Sequence, residues 1–565
     1  MRIGLLTEGG YPYVSGDAGL WCDRLVRGLG QHEFDVYAFS RSEAQEDAGW
    51  VPLPPQVGRV RTAPLWAAED DGVVYGRRAR RRFTEHYGEL AAALCTAVEP
   101  AGPAARRDTA GTPLAAPEAD RFATALHGLA ELARDEGGLA AALRSETAVR
   151  ALERACRAPR ALRTAREARV PDLLAVAAHL ERALRPLSLD WYEEDGLGAV
   201  DLCHAAAGGV AALPGLLAHH FHGVPLLVTE YGVRLRAYYL TRPESSPAVR
   251  SLLAAFHGRL AAEIYRRAEI VTPGNAHARR WQERCGADRA KLRTVYPGMD
   301  ASPFTDVGES PDGGDPHTLV WVGRIEPAKD LVSLLHAFAE IRREEPKTRL
   351  RIIGGPSGAE GAAYLGHCRA LADQLFPDEA DGPHSVGDNP VSFEEIGGPD
   401  LPTPADAYAS GAVTVLSSVV EGFPVGLVEA MLCGRATVST DVGAVVEAIG
   451  GTGLVVPPRN PRALAGACVS LLRDPERRER LGAAARARAL ELFTVEQNVT
   501  AFHGMYLEIV ARTPVHHRPP NDTGDPLPFA TPAEAHVPGH WTESGPRALP
   551  AWARNAPVAV TEAAR

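Results

Sequence analysis

Two hydrophobic signatures alternate along most of the chain. Short apolar runs ending in glycine or a polar turn predict buried parallel strands. Longer stretches with apolar residues three and four apart predict helices laid on them. "RIGLLTEG" is the first such run, and "AGLWCDRLVRGL" follows with Leu20, Trp21, Leu25 and Leu29 at helical spacing before "FDVYAFS". Strand, glycine-containing loop, helix and strand make a βαβ unit. From about residue 70 to 190 the rhythm breaks, and Ala, Arg, Leu and Glu dominate, as in "HGLAELARDEGGLAAALRSE", His127 to Glu146. A helical insertion is expected there, with a Pro/Gly/Ala loop near residues 99 to 118. Strand candidates resume at "GAVDLCHA", "GVPLLVTEYG", "AEIVTPGN" and "KLRTVYPGMD". Asp306 to Thr318, "DVGESPDGGDPHT", has linker chemistry. A second α/β series follows: "TLVWVGRI", "TRLRIIGG", "NPVSFEEI", "AVTVLSSV", "RATVSTD" and "GLVVPP". Three helical stretches, ending with "VEQNVTAFHGMYLEIVAR", close the patterned region. The expected architecture is α/β: two successive doubly wound halves joined by a linker.

Composition narrows the classes. A formal net charge of -11 argues against a dedicated nucleic-acid binder. No apolar stretch approaches the ~20 residues that span a bilayer, so any membrane role would be peripheral. The eight cysteines include no Cys-x-x-Cys pair, and a reduced cytoplasm is the simpler compartment. The basic run "YGRRARRRF", Tyr75 to Phe83, could meet anionic lipid or polymer, but a solvated helix start is the preferred account.

In open α/β sheets, ligands bind beyond the carboxyl ends of the strands. In the second half, Arg324 and Lys329 follow "TLVWVG", Gly355 follows "LRIIG", and Glu421 follows "VTVLSSV". Glu421 opens a glycine-proline turn, and Glu429 stands eight positions on, expected in the first turn of the next helix. Two cations and the N–H groups of a glycine-rich turn at a helix start suit a pyrophosphate. Ionised carboxylates only accept hydrogen bonds, which suits sugar and ribose hydroxyls. Taken singly, each residue has a bland alternative: a surface salt bridge for Arg324 and Lys329, a dipole-complementing acid for Glu429. Taken together they describe a nucleotide-sugar site. His204 alone makes no metal-ligand constellation.

The text "VGRIEPAKD", "IIGG", "SSVVEGFPVGLVEAMLCGRATVSTDVGAVVEAI" and "GLVVPPRNPRALA" resembles the retaining glycosyltransferases of family 4, over about residues 318 to 510. In the first half, "EGGYPYVSGDAGLW", "HAAAGGVAALPG", "VPLLVTEYG" and "YPGMD" resemble a narrower subgroup, proteins like the Pel exopolysaccharide glycosyltransferase. The resemblance implies the GT-B fold, two facing Rossmann-like domains: residues 1–305 with the insertion, residues 318–490 for the donor, and a helix over 491–513 packing back on the first domain. It implies transfer of a hexose, with retention, from a nucleotide-diphosphate sugar to a glycan or small-molecule acceptor, UDP being the expected donor nucleotide. No metal or other cofactor is expected, and a membrane polysaccharide-synthesis complex at the inner face of the membrane is an implied partner. Arg324 and Lys329 would neutralise the donor diphosphate, with Gly355 beside it. Glu429 would hold the ribose, and Glu421 the transferred hexose with the backbone of Gly422, Phe423, Pro424, Gly426 and Leu427. Gly16 would let backbone approach the donor phosphate or acceptor, and His204, Glu230 and Tyr231 would lie on the acceptor or sugar side. Relatives usually carry histidine where this chain has Tyr231. A related protein that binds nucleotide sugar or glycan without efficient turnover, and a nucleotide-sugar epimerase, are the alternatives.

The proline-rich text over residues 514–565 is expected to be disordered and dispensable. A chain ending at Thr513 is expected to melt within a few degrees of the full length, which differential scanning calorimetry checks; aggregation or a large drop would contradict this.

Overall fold

The structure, a computed structural model, describes residues 1–13, 16–67, 71–96, 117–241, 245–310, 313–377 and 389–513. The expected tail over 514–565 lies outside the described residues, as does nearly all of the expected loop near 99 to 118.

Two six-stranded, all-parallel sheets form the frame. The first contains β1 (Arg2–Glu8), β2 (Glu33–Ser40), β3 (Val57–Pro64), β4 (Leu202–Ala205), β5 (Leu226–Thr229) and β6 (Ile270–Thr272), in the order β3-β2-β1-β4-β5-β6. The second contains β7 (Thr318–Val322), β8 (Arg349–Ile353), β9 (Val391–Glu394), β10 (Val413–Leu416), β11 (Ala436–Thr440) and β12 (Leu454–Val456), in the order β12-β11-β10-β7-β8-β9. Each sheet winds one way from its first strand and then the other. The gaps between β1 and β4 and between β7 and β10 are therefore the switch points where such sheets bind ligands. The inner strands are buried on both faces, which is why they read as apolar runs rather than alternating ones.

The insertion lies between β3 and β4. Its principal helices, Arg77–Leu94, Pro117–Glu136, Glu146–Arg157 and Val170–Leu184, share one core with the sheet. Helicity in "HGLAELARDEGGLAAALRSE" is broken at Gly137 and Gly138, both with positive φ. The basic run starts the Arg77–Leu94 helix, burying Ala79 and Phe83 while Arg82 pairs with Asp135 at 3.1 Å.

One expected strand needs correction and one strand is new. "KLRTVYPGMD" is not a strand: Leu292 makes a single parallel bridge to Val271. Arg293 and Val295 donate to the carbonyls of Val271 and Pro273, but Pro273 has no N–H to return, so the ladder stops. The strand β3 was not foreseen, because an edge strand with outward Arg59 and Arg61 carries little apolar signal.

The chain crosses between halves twice, and the crossings run side by side. Met299 N–H donates to Phe493 O at 2.8 Å, and Val495 N–H donates to Met299 O at 3.1 Å. The second crossing delivers the Val495–Arg512 helix to the first sheet, where Phe502, Tyr506 and Ile509 pack with Ile3, Leu5 and Trp21. Where a helix was expected over 491–513, residues to Leu492 belong to the helix before it, and the helix itself runs Val495–Arg512. His204 on β4 is sealed beneath it. Its Nδ1 lies 2.7 Å from the Tyr506 hydroxyl and its Nε2 2.8 Å from Thr229 Oγ1.

Burial lowers the pKa of His204 from 6.5 to about 3, and that of His257, under the same sheet's helices, also to about 3. Both stay neutral in the folded chain but protonate in the unfolded one below pH 6.5. Their stabilising contribution is therefore complete above pH 6.5 and is lost as pH falls towards 3, at about 1.4 kcal/mol per pH unit for each. The urea midpoint is expected to fall steadily between pH 6.5 and 5. His204→Gln, which keeps a donor and an acceptor, is expected to flatten that slope by about one proton, as measured by urea titration across pH.

Candidate functional site

The second switch point gathers the expected cations and carboxylates. After β7 the backbone of Gly323 runs against Gly354, the residue following β8. Gly354 has φ +145, and a Cβ there would lie 1.9 Å from Gly323 O, so no other residue fits. Ile325 N–H then donates to Gly355 O at 2.9 Å, leaving open space in front of the Gly355 Cα. Arg324 projects from this shelf, exposed, and makes no hydrogen bond or ion pair among the described residues.

Lys329 ends a short 3-10 turn, Pro327–Lys329, ahead of the Leu331–Glu344 helix. It crosses the switch point to Glu421, with Nζ 2.5 Å from Oε1. The pair is largely buried, with 17% and 10% of the side chains exposed. Ser418 Oγ donates to the same carboxylate oxygen at 2.7 Å, and Ser417 Oγ donates to the Lys329 carbonyl at 2.7 Å. These two serines, directly after β10, open the quoted "SSVVEGFPVG" text but were given no role there. Their position at a strand end was the available signal.

The turn after Glu421 is held from behind. A Cβ on Gly443, at φ +58, would meet Glu421 O at 2.4 Å, and Ala444 N–H donates to Gly422 O at 3.1 Å. Gly422 itself is exposed, with nothing within 4 Å of a Cβ position. Among the described residues the N–H groups of Gly422, Phe423 and Gly426 have no hydrogen-bond partner. They precede or open the Val425–Leu432 helix, so its dipole adds to them.

Several expected contacts are redistributed. Glu429 sits in the second turn of that helix, not the first, because the helix begins at Val425 with Pro424 as its cap. Its Oε2 accepts from the buried Tyr408 hydroxyl at 2.8 Å, and burial and this carboxylate push the Tyr408 pKa well up. Leu427 is 1% exposed and Pro424 is buried. Phe423 turns inward against Tyr296 and Phe493, at ring distances of 6.2 and 5.5 Å. Leu427, Pro424 and Phe423 therefore shape the turn from the core side, and only backbone there faces the cleft.

The first domain faces this turn. Arg236, on the Arg234–Leu240 helix, donates from Nη2 to Glu421 O at 3.1 Å. Burial lowers its pKa. Tyr231 accepts from Asn498 Nδ2 at 3.2 Å and meets Trp21 edge-on at 5.4 Å. Burial raises its pKa, so the phenol is neutral at any ordinary pH. Glu230 is 2% exposed and is not on the acceptor side. It accepts from Arg234 N–H at 2.9 Å and from the Tyr265 hydroxyl, and burial raises its pKa. His204, with no exposure and both ring nitrogens engaged, is likewise a packed residue rather than a contact surface. Gly16 opens the Gly16–Gly28 helix, not a loop, and its surroundings lie outside the described residues. At the first switch point Glu8, at the end of β1, takes Arg234 at 2.6 Å and Arg41 at 3.0 Å. Arg236 and Glu8 were given no role from the sequence, although Glu8 opens the quoted "EGGYPYVSGDAGLW".

Among the described residues no group of three or more His, Cys, Asp or Glu could hold a metal ion, and no helix is long and apolar enough to cross a membrane.

Residues 1–290 match the family described as a domain of unknown function (DUF3492), and residues 316–474 match the group 1 glycosyl transferases. The chain is 33% identical over 241 residues to a D-inositol 3-phosphate glycosyltransferase of Kineococcus radiotolerans, covering 39% of this chain and 52% of that protein. It is 34% identical over 207 residues to a second such enzyme, of Catenulispora acidiphila, covering 34% and 45%. The chain thus spans about half the length of the curated relatives it matches. Among solved structures, sucrose-phosphate synthase from Thermosynechococcus elongatus superposes with a TM-score of 0.53 at 18% identity, over 91% of this chain and all of that one. Anabaena HepE in complex with UDP superposes with a TM-score of 0.51 at 14% identity, over 89% and 99%. The fold is GT-B, as the sequence resemblance implied.

The buried Lys329–Glu421 pair sets a stability expectation. Glu421→Gln leaves an ammonium half-compensated and is expected to cost about 1–3 kcal/mol. Lys329→Met combined with Glu421→Gln is expected to recover part of that loss. Denaturant unfolding of the two single variants and the double variant measures the coupling.

Proposed function

The chain belongs to the DUF3492 family, and we propose that it is a retaining glycosyltransferase that moves a hexose from a UDP-sugar to a glycan or other acceptor. One arrangement carries this proposal: Arg324 and three N–H groups, all without partners among the described residues, meet the Lys329–Glu421 pair at the switch point between β7 and β10. Such a set offers positive charge for a diphosphate and an acceptor for sugar hydroxyls within one turn of chain. The names of the curated relatives support glycosyl transfer, and the UDP bound in HepE supports the donor class.

In this proposal the diphosphate lies over the Gly323–Arg324 shelf. Arg324 and Lys329 neutralise it, in place of a metal. Glu421 accepts from hexose hydroxyls and Glu429 from the ribose. The acceptor oxygen bonds to the anomeric carbon on the face from which the phosphate departs. Its proton passes to the departing phosphate oxygen, so charge grows on the diphosphate as the sugar leaves. Fixed cations there stabilise the transition state more than the ground state. The work belongs to the cytoplasm, in exopolysaccharide synthesis of the kind carried out by Pel-like enzymes.

Tyr231 favours a second possibility, donor binding without efficient turnover. The phenol stands where the family resemblance implies histidine, and burial keeps it neutral although Asn498 donates to its oxygen.

Calorimetric titration with UDP-glucose, joined to an assay of nucleotide release, tests both. Lys329→Ala is expected to lower release ~10²–10³-fold, by analogy with lost transition-state donors. Glu429→Gln is expected to weaken binding by about 1.5–3 kcal/mol, the cost of a charged hydrogen bond. Full activity in Lys329→Ala would remove the diphosphate role. If native protein binds donor without release and Tyr231→His raises release, the binding-only possibility holds; if native protein turns over and Tyr231→His lowers it, the site works through the phenol.

A further inference from the structure

The first-domain wall of the cleft carries a group of cations that the donor site does not use. The Ala276–Arg284 helix places His277, Arg280, Trp281 and Arg284 at spacings of three, four and seven, on one face. Its other face is neutralised in the ordinary way, Arg279 pairing with Glu283 at 3.4 Å. The cationic face abuts the Arg234–Leu240 helix, with Trp281 and Tyr239 ring centroids 6.3 Å apart and the Arg284 guanidinium 5.4 Å over the Trp281 ring. His277 is the focus of the group. Its Nε2 is buried without a hydrogen-bond partner, and burial together with Arg236, Arg280 and Arg284 lowers its pKa. Among the described residues no carboxylate pairs with Arg236, Arg280 or Arg284. The nearby Glu447 is already committed to Ala276 N–H at 2.6 Å and to the Tyr296 hydroxyl at 2.8 Å.

Three guanidinium groups around one imidazole repel one another, and a fold with net charge -11 has many acids that could have relieved them. Leaving them bare is useful where an anionic ligand supplies the missing charge, in fork geometry suited to phosphate. The place of the group limits which anion that is. Arg236 reaches Glu421 O, so the group borders the turn assigned above to the transferred hexose, but on the opposite domain. We propose that this face binds a phosphate group carried by the acceptor, with Trp281 and Tyr239 offering ring faces to the sugar that bears it. This rests on the glycosyltransferase proposal above and extends it to an anionic acceptor. The other source of the same chemistry is the donor's own diphosphate.

Arg280 and Arg284 are exposed, so their removal leaves the core untouched. Native protein and the Arg280→Ala/Arg284→Ala double variant would be titrated with inorganic phosphate by calorimetry, with and without saturating UDP, at constant ionic strength. The expected result is phosphate binding to the native protein in the presence of UDP, weakened at least tenfold in the double variant, with UDP affinity unchanged within twofold. Equal phosphate affinity in the two proteins, or none in native protein, overturns the proposal. Loss of UDP affinity in the double variant assigns the group to the donor diphosphate and overturns the acceptor role. Native protein that binds phosphate but not UDP would instead sink the donor proposal, because the phosphate arm without UDP still reports on this face.

Discussion

The side-chain amide of Asn498 is the contact on which the geometry of the cleft turns. It is 4% exposed and accepts from Trp21 Nε1 at 3.1 Å while donating to the Tyr231 hydroxyl at 3.2 Å and to Tyr296 O at 2.7 Å. One residue of the last described helix thereby fixes a residue of the first helix, the segment after β5, and the first crossing between halves. Fit is tight enough that a Cβ on Gly298 would lie 2.8 Å from the Asn498 Cβ. A buried amide deprived of a partner costs about 1–3 kcal/mol, so each of the three groups holds the other two in place. Tyr296, once positioned, presents its hydroxyl to Glu447 of the second domain, and burial and that carboxylate push its pKa to about 12. A line of hydrogen bonds therefore runs from the buried phenol of Tyr231 to the second sheet's helices.

The two walls of the cleft solve their electrostatics differently. On the second domain Lys329 is matched by Glu421, and Ser417 and Ser418 fix the backbone and carboxylate around them. Such a pair has already met much of the cost of leaving water, and a phosphate oxygen arriving beside it competes for an ammonium that is desolvated and in place. On the first domain Arg234 and Arg41 are spent on Glu8, while among the described residues no carboxylate matches Arg236, Arg280 or Arg284.

Strands and helices of the second half were legible because burial on both faces writes continuous apolar runs, and the strand ends could then be named. Arg324, Lys329 and Glu421 fall where that logic puts them. The side chains of Phe423, Pro424 and Leu427 do not reach the cleft, because a motif spells a turn without saying which of its atoms face out; that depended on Tyr296 and Phe493, far away in sequence. Glu429 was placed a turn too early because Gly426 reads as a turn residue that delays the helix start, whereas the helix takes it in as its second residue. His204, Glu230 and Asn498 were beyond reach for one reason. Whether a polar residue at a strand end or in a helix is a contact or a satisfied core group depends on partners such as Tyr506, Tyr265 and Trp21, and the chain order does not announce them.

The two crossings between halves run adjacent, joined by the bridge between Met299 and Thr494. Two covalent links at one edge behave as a door hung on a single post. Glu447, which holds both Ala276 N–H and the Tyr296 hydroxyl, lies beside these links, whereas Arg236 reaches Glu421 O across the cleft. The contact across the cleft is a guanidinium on a carbonyl, which water can replace. Because both links meet at one edge, whatever lies between Arg324 and Arg236 is bounded by covalent chain on that side alone.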